Sequence, residues 1–140
     1  MTFVQLQKLQ LMPSLNSSLI LLVDDSEVSN FLMQSILEER GYSILTVTNG
    51  REALDLLKQE IPDLIILDIM MPEMNGFGVL ESVKKFEETA KIPVIILTAR
   101  NNLKDQEKAI SMGAADYMIK PIDIDDVVER VNRHMNSSAN

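Results

Sequence analysis

Five short, mainly apolar runs recur along the chain, and each is followed by a stretch with the spacing of a helix. The runs lie at residues 19–23, 43–47, 64–67, 93–97 and 116–119. Runs of four or five residues bounded by turn formers read as strands buried on both faces. Alternation of such strands with helices implies right-handed βαβ crossovers and a parallel sheet covered by helices on both sides. The expected fold class is therefore α/β. The first helix is expected to start at the N-cap Ser26, to turn Val28, Phe31, Leu32, Ile36 and Leu37 inward, and to stop at Gly41. The others are expected at residues 51–59, 77–88, 103–112 and 125–135, with Asn49-Gly50 read as a turn.

Among the strands, the one at 64–67 raises a specific question. It runs Leu64-Ile65-Ile66-Leu67 straight into Asp68, and a loop with Pro72 and Gly76 follows. A carboxylate at the mouth of a buried strand costs desolvation energy unless something compensates it. In a parallel sheet every strand ends at the same edge, and ligands bind in the crevice there. The polar residues at that edge are Asp24 and Asp25, Thr48-Asn49-Gly50, Asp68, Thr98 and Lys120. Taken singly, a strand-ending Asp is usually a helix cap, and a Lys before Pro a solvated loop residue. Their convergence on one edge makes a site the better reading.

Composition removes several alternatives. One domain is expected, because a chain of 140 residues buries roughly 68% of its unfolded surface. The net charge of −8 and the lack of a basic patch argue against direct nucleic-acid binding. The chain has no Cys and a single His, His134, so thiolate or His metal sites and a Ser-His-Asp triad lack their parts. No apolar run approaches the length of a membrane span, and a cytoplasmic location is expected. Residues 1–18 read as a leader or linker without a signal peptide, 19–135 as the domain and 136–140 as a polar tail. A start at Met1 and a polar ending favour a free-standing domain over part of a longer regulator or hybrid kinase.

Val23-Asp24-Asp25, Leu67-Asp68 with Met71-Pro72-Glu73-Met74-Asn75-Gly76, Thr98-Ala99, Gly113-Ala114-Ala115-Asp116-Tyr117 and Lys120-Pro121 together resemble a response-regulator receiver domain of two-component signalling. The resemblance covers about residues 19–134. It implies a (βα)5 flavodoxin-like three-layer sandwich with strand order 2-1-3-4-5. It also implies that Asp68 accepts a phosphoryl group from a histidine kinase or histidine phosphotransfer protein. Three clustered carboxylates repel: two unit charges ~4 Å apart at an effective dielectric of ~20 interact by about 4 kcal/mol. The resemblance supplies the remedy, Mg²⁺ (or Mn²⁺) held by Asp25, Asp68 and the backbone carbonyl of Met70, with Asp24 acting through water. Lys120 and Thr98 would contact the phosphoryl oxygens. Tyr117 would follow the movement of Thr98 and signal through a face made of residues 103–112, Tyr117 and residues 125–135 to a downstream protein.

Some positions depart from the pattern or vary within it. Met70 and Arg100, each two residues past a key position, tune the lifetime of the phosphate in such domains. Met cannot orient a water strongly, and Arg100 can cover the site or pair with the phosphate, so slow self-dephosphorylation is expected. Ile122 stands where many relatives carry Phe. Asp116 and Arg130 could pair across a homodimer of the signalling face, or within one chain. Among rival readings, a flavodoxin would need a phosphate-cradling loop where Asp24 and Asp25 stand. A haloacid-dehalogenase-type phosphatase would need an acid at Met70, so an enzyme is not expected. A phosphorylation-independent interaction module on the same fold usually lacks one of the acids, the Thr or the Lys, and none is missing here.

Overall fold

The computed structural model describes residues 2–4 and 18–139, with side chains to residue 136. Most of the expected leader therefore lies outside the described residues. The strands are β1 (Leu19–Val23), β2 (Ser43–Val47), β3 (Leu64–Leu67), β4 (Val94–Thr98) and β5 (Asp116–Ile119). They form one parallel sheet in the order β2-β1-β3-β4-β5. The helices are α1 (Glu27–Glu38), α2 (Gly50–Leu57), α3 (Gly76–Lys85), α4 (Leu103–Ser111) and α5 (Ile124–Ala139). This is the flavodoxin-like three-layer arrangement with the strand order that the resemblance implied.

Side-chain alternation along the strands divides the core in two. Leu21, Val23, Leu45, Val47, Ile65, Leu67, Val94 and Ile96 face α2, α3 and α4. Ile20, Leu22, Ile44, Leu64, Ile66, Ile95 and Leu97 face α1 and α5. With both faces covered, the strands lose their polar alternation and become the apolar runs seen in the sequence. Burying each such side chain is worth about 1.5–3 kcal/mol.

The helices differ from expectation in instructive ways. Val28, Phe31 and Leu32 of α1 are exposed, and the inward face is Asn30, Met33, Ile36 and Leu37. Ile36 and Leu37 face inward as expected, but the N-terminal half of the helix turns a different stripe to the core. Two interior hydrogen bonds of the Asn30 amide, described below, hold it there. Asn49 caps α2, accepting a hydrogen bond from Glu52 N, and Gly50 opens the helix instead of completing a turn. The third helix ends at Lys85 and not at residue 88. Helix α5 continues to Ala139 and so takes in most of the stretch read as a tail.

Candidate functional site

Hydrogen bonding between strands continues past their ends and lines up the polar residues of the edge. Asp68 N donates to Val23 O (2.9 Å), Asp24 N to Val47 O (3.2 Å) and Lys120 N to Thr98 O (2.8 Å). Asp24 and Asp68 follow the paired residues Val23 and Leu67 directly, so both carboxylates emerge between the same two strands. Both are buried, whereas Asp25 is exposed. Each of the three offers an oxygen, and these oxygens lie within 4.8 Å of one another.

Lys120, from the loop after β5, reaches across the edge. Its Nζ lies 2.6 Å from Asp24 Oδ2 and 3.2 Å from Asp68 Oδ2. Burial opposes the charge on this ammonium, but Asp24 and Asp68 outweigh it and hold its pKa above the ordinary lysine value. The Asp24 carboxyl is pushed up, first by burial and then by the charge of Asp68. Lys120 and the Ser26 N–H only partly offset this. The site therefore carries more negative charge than one ammonium balances. An all-oxygen donor set with an exposed member and surplus negative charge suits a hard divalent cation.

The surrounding elements fix these carboxylates. Asp24 Oδ1 accepts from Ser26 N (2.9 Å), and Ser26 caps α1 by accepting from Ser29 N. The buried Asn30 amide donates to Asp24 O (3.0 Å) and Val47 O (3.1 Å), bracing the end of β1 against β2. Reasoning from apolar periodicity missed Asn30. The spacing Asn30, Met33, Leu37 carries the helical signal if a polar residue is admitted to the inward face. Asp68 Oδ1 accepts from Met70 N (3.0 Å), and the Met70 side chain is exposed. Gly76 lets the loop close tightly: a Cβ there would lie 2.4 Å from Asp68 O and 2.6 Å from Ile69 Cα. A cleft of about 180 Å³ opens at Asp24, Asp68 and Lys120 and is floored by Leu22, Met33, Leu97 and Ile122.

Thr98 and Tyr117, expected to move together, meet through Arg100. Thr98 is fully buried and its Oγ1 accepts from Arg100 N (3.3 Å). The half-buried Tyr117 donates its hydroxyl to Arg100 O (2.8 Å). The Arg100 guanidinium lies on Asp105 of α4, 2.6 Å from its carboxylate. Asp116 pairs with Arg130 of the same chain at 2.8 Å and with His134 at 3.0 Å.

The sequence matches the family model of the response regulator receiver domain over residues 20–132. The chain belongs to that family. The receiver is 37% identical over 113 residues to protein PilH of Pseudomonas aeruginosa, covering 81% of this chain and 93% of that one. It is 38% identical over 112 residues to the DNA-binding dual master transcriptional regulator RpaA of Synechocystis, covering 80% of this chain but 46% of RpaA. Among solved structures it superposes on the signal receiver domain of a signal transduction histidine kinase from Syntrophus aciditrophicus. The TM-score is 0.81 and the identity 36%, over 86% of this chain and 92% of that one. The receiver thus spans nearly all of one relative and under half of another. Among the described residues, no helix is long and apolar enough to cross a membrane.

Proposed function

We propose that this receiver is a phosphoacceptor switch in which Asp68 takes the phosphoryl group. The observation that carries this reading is the position of Asp68. It is buried at the mouth of β3, oriented by Met70 N and bound by Lys120, with Asp24 and Asp25 close by. An oxygen of Asp68 attacks the phosphorus of a phosphohistidine on a kinase or phosphotransfer protein. The O–P bond forms as the N–P bond breaks, and the leaving imidazole keeps the electron pair and takes up a proton. Lys120 lies where it can follow the charge from the Asp68 carboxylate to the new phosphoryl oxygens. The Thr98 hydroxyl offers one of them a donor.

The donor set of Asp24, Asp25 and Asp68 supports Mg²⁺ as cofactor, with the Met70 carbonyl as a further ligand. When bound, the cation neutralises the clustered carboxylates and the phosphoryl oxygens. The closer contact of Asp24 with Lys120, 2.6 Å against 3.2 Å for Asp68, supports a role through water instead of direct ligation. The product signals by shifting a two-state equilibrium read at α4, β5 and α5 by a downstream protein. The exposed thioether of Met70 cannot orient an attacking water, which supports a long-lived phosphoprotein.

Acetyl phosphate and Mg²⁺ test the core of this reading. Wild-type protein gains one phosphoryl group by intact mass, and neither Asp68→Asn nor wild type with EDTA does. Equal labelling of wild type and Asp68→Asn would refute it.

A further inference from the structure

Arg100 joins three parts of the molecule. Its backbone N–H donates to Thr98 Oγ1 at 3.3 Å, and its carbonyl accepts from the Tyr117 hydroxyl at 2.8 Å. Its guanidinium Nε lies 2.6 Å from Asp105 Oδ2. Asp105 is not a loose surface acid: its side chain is 13% exposed, against 44% for Arg100. Its position is set by the cap of α4, where Asp105 N donates to Asn102 Oδ1 at 2.8 Å and Asn102 Nδ2 donates back to Asp105 Oδ2 at 2.9 Å. One oxygen of Asp105 thus receives both the helix cap and the guanidinium, so the 98–102 loop and the first turn of α4 are tied at one point. The Tyr117 hydroxyl senses the same pair. Burial first, then the charge of Asp105, raises its pKa while Arg100 lowers it.

We infer that Arg100, through its ion pair with Asp105, is a positioning residue that couples the Thr98 hydroxyl to helix α4. This inference rests on the phosphoacceptor reading. A phosphoryl group on Asp68 accepts from the Thr98 hydroxyl and draws it over, and the Arg100 N–H, which donates to that same oxygen, must follow it or lose its acceptor. Any displacement of the Arg100 backbone is carried by its guanidinium to Asp105, and so to the cap of α4. Without the pair, the loop still follows Thr98, but α4 no longer follows the loop. The guanidinium pairs with Asp105, while the acceptor carboxylate pairs with Lys120.

The experiment uses the full chain and beryllofluoride with Mg²⁺ as the phosphoryl mimic. Amide hydrogen exchange is read separately in peptides around Asp68 and in peptides covering residues 98–111. In wild type both sets respond, the second by about fivefold or more, the lower end of ordinary coupling between sites. Arg100→Ala and Asp105→Asn keep the response around Asp68 and lose that of residues 98–111. Arg100→Lys, which keeps the charge, retains it. A wild-type response at 98–111 in both Arg100→Ala and Asp105→Asn overturns the inference, as does loss in Arg100→Lys equal to that in Arg100→Ala. Absence of any wild-type response around Asp68 contradicts the phosphoacceptor reading itself, and the inference with it.

Discussion

Asp116 gathers three partners at the start of β5. It accepts from Arg130 (2.8 Å), from the Tyr117 N–H (2.9 Å) and pairs with His134 (3.0 Å), tying the start of β5 to α5. Burial works to raise its pKa, but His134, the Tyr117 N–H and Arg130 outweigh it, and the carboxyl is held below the ordinary value of 3.8. A depressed carboxyl stabilises the fold above its unfolded pKa, and the increment is lost as the pH falls through its folded value. Asp116→Asn is therefore expected to cost about 2 kcal/mol at neutral pH. The cost should shrink as the pH drops below about 4, measured by urea unfolding at several pH values. Met70 makes a separate prediction, about lifetime. Met70→Asn supplies a side chain that can hold a water near the phosphoryl group. The variant should lose its label roughly tenfold faster than wild type, equivalent to about 1.4 kcal/mol of transition-state interaction. Faster loss from wild type would contradict the reading. At this scale the acids, Thr98 and Lys120 were legible because each interrupts or ends an apolar run. The partners of Arg100 were not, because an ion pair between a loop and a helix leaves no periodic trace. Asn30 was hidden for the opposite reason: a buried amide satisfied by two carbonyls looks like a solvent-facing residue in sequence.

Strands were easier to read than helices, for a physical reason. A strand buried on both faces must be apolar along its whole length, so its ends coincide with the change in composition. Strands β1, β2, β3 and β5 have the expected bounds; β4 starts one residue late because Pro93 contributes its carbonyl but has no N–H to donate, and ends one residue late because Thr98 pairs with Ile119 of β5. Helix α1 needs only one covered stripe, and apolar residues on both stripes made its orientation ambiguous. Val28, Phe31 and Leu32 remain on the surface. Between β3 and α3, Gly76 sets how closely the loop returns to Asp68. The nearest atoms to an added Cβ are backbone and cannot swing aside. Gly76→Ala should therefore destabilise by about 3 kcal/mol, although Ala is otherwise the better helix residue by up to about 1 kcal/mol. Urea unfolding checks this, and a change within about 0.5 kcal/mol would mean that the loop can relax.

For the whole molecule, topology turns separate residues into a site. Asp24 and Asp68 are 44 positions apart in sequence and Lys120 lies 96 from Asp24, yet parallel strands bring their ends to one edge. The order β2-β1-β3-β4-β5 puts β1 beside β3, so the two buried acids are neighbours, and puts β4 beside β5, so Thr98 and Lys120 are neighbours. Alternation in the sequence was enough to predict a parallel sheet. Strand order was not contained in that alternation; it came with the family resemblance, and the structure bears it out. The same arrangement puts the acids and the proposed readout on different elements. The acids sit at β1 and β3, while Tyr117 and α4 lie on the far side of Thr98. Of the three adjacent carboxylates, Asp68 is the proposed acceptor. Borohydride reduction after acetyl phosphate treatment tests it most directly, since it converts an aspartyl phosphate to homoserine at the modified position. Peptide sequencing by mass spectrometry is predicted to find homoserine at position 68 alone. Homoserine at position 24 or 25, or at none of the three, would contradict the account.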